Sequence, residues 1–198
     1  MSGTGFFQSY HWGWGRPDAT TLLCDLEADG MRLAPPSGGA EATRAMDGTG
    51  PSPGAADHRE RFLALAGSQE LDSLDVRLRV GGAWDVPLRI RRAGGGAVAV
   101  EIGLSGLPYG PCERVVRAVR HTVGRASMLC LGFVLDRGGV TAGTDWDRVV
   151  VDGTERIGGW PDVLAVRDRI ACTHAQLAGR PSEDRSPWRV FGGEIVTV

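Results

Sequence analysis

Between residues 76 and 92 apolar and charged side chains alternate one by one, and no other feature of the chain restricts its fold so tightly. Val76, Leu78 and Val80 share one parity, as do Leu88 and Ile90, while Arg77, Arg79, Arg89 and Arg91 take the opposite one. Successive side chains of a strand point to opposite faces, so each stretch reads as a strand with an apolar face and an arginine face. The first strand is expected over Asp75 to Val80 and the second over Asp85 to Arg92, with Gly81-Gly82-Ala83 as the hairpin turn. Gly94-Gly95-Gly96 then leads to a third strand over Ala97 to Leu104. Strands joined by links this short pair antiparallel.

Other stretches of the chain carry a helical period instead. Pro111 suits a first helical position, and from there Cys112, Val116, Val119 and Val123 line one side of a helix ending near Ala126. Asp57 and Glu60 resemble a capping box for a short helix ending at Gly67, and a last helix is expected from Pro161 to Ala178. Residues 128–135 read as a buried strand, 148–151 as a short one and 188–198 as the closing one.

The opening run Phe6-Phe7-Gln8-Ser9-Tyr10-His11-Trp12-Gly13-Trp14 alternates like a strand, with Thr20 to Glu27 as its expected hairpin partner. Residues 34–56 are rich in Pro, Gly, Ala and Ser and read as a loop between residues 1–33 and the main body. The expectation is a single α+β domain of 198 residues: a largely antiparallel sheet, two main helices, a short third and an aromatic N-terminal hairpin.

All 22 basic residues are Arg, and the chain contains neither Lys nor Asn, the signature of a GC-rich genome. A formal net charge of −2 argues against non-specific binding to nucleic acid or to an anionic membrane, both of which need a basic field. No apolar run approaches the roughly 20 residues of a membrane span, and no signal-like segment opens the chain, so a cytoplasmic location is expected. Cys24, Cys112, Cys130 and Cys172 are too widely separated for a structural zinc site. The glycine clusters lack both the strand-to-helix context and the Lys of a phosphate loop. No metal or cofactor is expected.

Charge is distributed unevenly along the chain. Residues 76–125 hold nine Arg against three carboxylates, 9 − 3 = +6, and the preceding residues hold five Arg against eleven carboxylates, 5 − 11 = −6. On the helix from Pro111, Arg114, Arg117, His121 and Arg125 line the side opposite the apolar stripe. Together with Arg77, Arg79, Arg89 and Arg91 they form a candidate partner-binding set, since guanidinium forks take carboxylates in a bidentate way. The expected partner is an acidic protein surface. The competing reading is a solvated face, some of it paired with the chain's own acidic residues.

A second class of function, an enzyme or a small-ligand binder, would need an apolar pocket with a few convergent polar groups. Its candidate lining residues are Trp12, Trp14, Cys112 and His174. Cys112 lies at a helix N-terminus, where a thiolate is stabilised. His174 falls within the apolar face of the expected last helix, either as a base or as a satisfied core residue. His11 has the opposite parity to most of the rings around it, which points it away from them. Asp145, Asp147, Asp152 and Glu155 lack the regular spacing of an oxygen-ligand loop and read as turn and capping residues.

Overall fold

The computed structural model describes residues 4–34, 55–68, 70, 72–125 and 128–192. Nine strands form one sheet: β1 Phe6–His11, β2 Met31–Leu33, β3 Ser73–Val80, β4 Trp84–Arg92, β5 Val98–Gly103, β6 Cys130–Asp136, β7 Val163–Arg167, β8 Glu183–Arg185 and β9 Trp188–Phe191. Their spatial order is β2-β3-β4-β5-β1-β6-β7-β9-β8, and every neighbouring pair is antiparallel. The helices are α1 Arg16–Ala28, α2 Ala55–Ala66, α3 Tyr109–Arg125 and α4 Asp168–Thr173, with a single π-helical turn at Arg148–Asp152. The fold is α+β, and the alternating stretches lie in the sheet as β3 and β4.

The aromatic strand is not half of a peripheral hairpin. β1 runs through the middle of the sheet, paired with β5 on one side and β6 on the other. Its expected partner, Thr20 to Glu27, lies within α1. Pro17 in the first turn and the Asp18 carboxylate, which accepts the Gly15 N–H at 2.9 Å, start that helix. Ala19, Leu22, Leu23 and Leu26 recur at the helical period and are all buried. After Gly30, at φ +79°, the chain turns back and β2 pairs with β3.

Two further expectations are corrected near the C-terminus. Val163, Leu164, Ala165 and Val166 are all buried and belong to β7, so α4 is only six residues long. A strand covered on both faces shows no alternation, and its apolar run mimics a helix. Residues 148–151 are π-helical rather than extended, and Gly153 at φ +71° ends the turn. The expected strand over 188–198 is β9 as far as Phe191, and residues 193–198 lie outside the described residues, as does most of the expected loop over 34–56.

The two faces of the sheet are covered differently. One face buries Phe7, Leu78, Val86, Leu88, Val100 and Ile102 against Leu22, Leu26, Val115 and Val119 of α1 and α3, with Phe62 and Leu63 of α2 in the same core. On the other face, Tyr10, Val134, Leu164, Val166 and Phe191 pack against Trp146, Val149, Val150 and Ile170. Gly132 lets this second layer approach: a Cβ there would lie 2.8 Å from the Val150 side chain and 2.3 Å from the Ala165 carbonyl oxygen.

Candidate docking surface

The second layer stops at β5. Beyond it, the same face of β2, β3 and β4 presents Arg32, Asp75, Arg77, Arg79, Asp85, Pro87 and Arg89, all exposed, with no described residue packed over them as a layer. Strand register puts them side by side. Arg32 lies directly opposite Arg79, Arg79 opposite Asp85, Arg77 opposite Pro87 and Asp75 opposite Arg89. Four guanidinium groups face two carboxylates, 4 − 2 = +2. Arg79 reaches Asp85 at 3.2 Å and Arg89 reaches Asp75 at 3.5 Å and Ser73 at 3.2 Å. Arg32 and Arg77 have no side-chain partner among the described residues. The Pro87 ring sits against Gly103, where a Cβ would be 2.6 Å from Pro87 Cγ.

At the seam between the covered and open halves lies Arg91. Its guanidinium donates to both oxygens of Asp147, at 2.6 and 2.7 Å, and to Glu101 at 2.6 Å. The Tyr10 hydroxyl donates to Asp147 at 2.9 Å, and Gln8 donates to Glu101 at 3.0 Å. Burial and the adjacent Asp147 carboxylate push the Tyr10 hydroxyl far above its ordinary range, so it stays protonated as a donor. The hydrogen bond to Asp147 raises the Arg91 guanidinium further, fixing its charge. A half-buried, bidentate pair of this kind anchors the start of the π-helical segment to the sheet.

The eight residues of the expected arginine-rich set do not share one surface. α3 packs on the apolar face of the sheet, whereas Arg77, Arg79, Arg89 and Arg91 are on the opposite face. Arg117 pairs with Asp29, and Arg125 with Asp25, which also accepts the Thr122 hydroxyl at 2.8 Å. Those contacts join α3 to α1 and its C-terminal end. Arg114 and His121 are exposed on α3, the former with Nη1 near the β3–β4 turn.

Nor do the four pocket candidates converge. Trp14 is buried beneath β1 and donates its indole N–H to the Ala66 carbonyl at 3.0 Å. Trp12 is 42% exposed and lies along Gly95 and Gly96. Cys112 belongs to the buried stripe of α3, and burial pushes its thiol up, opposing the helix terminus. His174 is buried just beyond α4. Its Nδ1 accepts the Gln176 N–H at 3.2 Å, so Nε2 carries the proton donated to the Glu155 carbonyl at 2.7 Å. Both ring nitrogens are engaged, and the imidazole pins a loop. The acidic residues before and after the π-turn are likewise engaged: Asp145 accepts the Arg148 N–H at 3.3 Å and Glu155 pairs with Arg148.

Sequence reasoning missed three features. Arg32 was hidden because β2 is only three residues long, although Met31 and Leu33 alternate around it. The Arg91–Asp147 pair joins residues 56 positions apart, and no local pattern signals it. His11 does not face solvent: it is 2% exposed, bonded to Ser9 Oγ at 2.9 Å, and its ring centroid is 5.0 Å from that of Trp14. Because β1 is central, its second parity is buried too. Burial lowers the His11 pKa to about 4, leaving the ring neutral. The enclosed space beside it is about 10 Å³, at the lower limit for a single water.

No protein-family model, curated protein or solved structure matches this chain. Among the described residues, no helix is long and apolar enough to cross a membrane.

Proposed function

We propose that this chain is a cytoplasmic partner-binding protein, of the accessory-subunit or toxin-neutralising kind, that docks an acidic protein surface on the open half of its sheet. One observation carries the reading: an exposed sheet face bears two guanidinium groups, Arg32 and Arg77, without side-chain partners among the described residues. A protein needing only solubility has no reason to place like charges directly opposite one another, as Arg32 and Arg79 are, because such cross-strand pairs are destabilising. The docking set is therefore Arg32, Arg77, Arg79 and Arg89, while Arg91, Arg117 and Arg125 serve the fold. The alternative of an enzyme or small-ligand site has less support, since Trp12, Trp14, Cys112 and His174 are dispersed, the space beside His11 is nearly filled, and the larger hollow of about 430 Å³, lined by Thr141, Asp145, Glu155 and Arg156, includes none of them.

Cross-linked capture from the source cell tests the reading with two double variants. Arg77→Glu/Arg89→Glu reverses charge on the open sheet face, and Arg114→Gln/His121→Gln alters the exposed side of α3. A partner held by the wild type and the α3 variant, but lost from the sheet variant, is the expected result. Retention of every captured protein by the sheet variant would reject the docking face.

A further inference from the structure

We infer that the centre of this surface is the cluster Arg32, Arg77 and Arg79, and that its occupant is an extended acidic peptide segment with carboxylates at alternate residues; the inference rests on the docking reading above. Arg77 and Arg79 are two positions apart on β3 and point the same way, so their stems are separated by roughly 6.6 Å, twice the rise per residue of a strand. Arg32 stands directly opposite Arg79 on β2 and adds a third guanidinium to the same side. Asp85 is bonded to Arg79 through Nε at 3.2 Å, leaving the two terminal nitrogens of that fork for an incoming oxygen. An extended peptide lying along β3 repeats its own side chains at the same two-residue interval. Its alternate Asp or Glu side chains therefore meet Arg77 and Arg79 in register.

The carboxylates around the cluster decide against a nucleic acid as occupant. Asp75 and Asp85 are interleaved with the arginines on the same face, and the whole chain carries a net charge of −2. A phosphodiester backbone, with one charge per nucleotide, gains from a continuous basic field and loses where carboxylates interrupt it. A peptide can place uncharged side chains against those positions.

Fluorescence anisotropy at low salt tests this with two labelled peptides of the same composition, a threonine background carrying three glutamates either at alternate positions or adjacent to one another. Single-stranded oligothymidylate of similar length is the third probe. The alternate peptide is expected to bind most tightly. The variant Arg32→Gln/Arg77→Gln/Arg79→Gln is expected to weaken it roughly tenfold, the sum of three exposed charge pairs, while Arg114→Gln leaves it unchanged. All the substituted residues are exposed, and cooperative thermal melting with an unchanged far-UV circular dichroism spectrum establishes that the variants fold. No measurable peptide binding, equal binding of the two peptides, tighter binding of the oligonucleotide, or an affinity unmoved by the triple variant would overturn the inference. If capture still loses a partner with the Arg77/Arg89 charge reversal, docking survives and only the peptide register falls. If capture is unaffected, the docking face itself is wrong.

Discussion

One face of one sheet is built in two ways. From β1 across to β9 it carries Tyr10, Val134, Leu164, Val166 and Phe191, each buried under the layer that includes the π-turn and α4. From β2 to β4 it carries Arg32, Asp75, Arg77, Arg79 and Arg89, each exposed. The backbone is the same antiparallel ladder throughout, so the side chains alone decide where a second layer can lie. The boundary is chemical as well. Arg91 belongs to the same strand as Arg89, but it is drawn into the covered half by Asp147, and the layer ends there. An exposed sheet face needs no cover when its outward residues are charged, and this one is maintained with more guanidinium than carboxylate.

The contrast predicts unequal costs of truncation. Leu164 is fully buried on the covered half, and Leu164→Ala is expected to lower stability by about 3 kcal/mol, the mid-range for a core Leu lost with partial relaxation. Urea unfolding monitored by tryptophan fluorescence would read the shift, and a change below about 1 kcal/mol would mean that the second layer is loosely packed.

The next largest effect concerns His11, on the helix-facing side of the same central strand. Its folded pKa of about 4 lies below the ordinary 6.5, because burial excludes the charged form. In the interval between those values the unfolded chain binds a proton that the folded chain does not. Stability is therefore expected to be fully present above pH 6.5, to fall progressively as the pH drops towards 4, and to lose no more through this group below that. The full loss is of the order of 3 kcal/mol. His11→Gln removes the titration, so unfolding free energies of the variant should be flatter than those of the wild type across pH 4–6.5. Parallel profiles would show that His11 does not govern the acid limb.

Cutting the seam should cost less. Arg91→Ala leaves Asp147 partly enclosed, with the Tyr10 hydroxyl as its remaining hydrogen-bond donor. We expect a loss of about 2 kcal/mol, within the range for a charged hydrogen-bonded group and below that of a fully buried pair. Amide hydrogen exchange should quicken in residues 147–153 more than in β3. Uniform quickening across the sheet would instead mean that the pair supports the whole fold rather than the edge of the second layer.

Legibility in the sequence followed the same division. The open half was readable because one-sided burial leaves strict alternation, and residues 76–92 gave β3 and β4 with their arginines on one side. The covered half was harder. Strands buried on both faces, such as β7, lose the period of two, and the apolar run at Val163–Val166 was therefore expected as helix. In α1 the spacing of Ala19, Leu22, Leu23 and Leu26 was present, but the preceding alternation of rings favoured a hairpin. Of the candidate surface, Arg77, Arg79 and Arg89 could be placed together by parity. Their separation from the α3 arginines could not, because which side of the sheet the helix covers depends on tertiary packing.

The smallest effect is the most informative about function. Arg77→Ala removes an exposed side chain that has no partner among the described residues, so folding stability should change by less than about 0.5 kcal/mol. Arg89→Ala, which breaks an exposed pair with Asp75, should stay within about 1 kcal/mol. If Arg77→Ala stabilises the fold, relief of like-charge crowding beside Arg79 and Arg32 is the physical reason. The native arginine then carries a cost in the free protein that binding has to offset. A marked destabilisation would mean that Arg77 already has an occupant within its own chain, and the open half would no longer be a free surface.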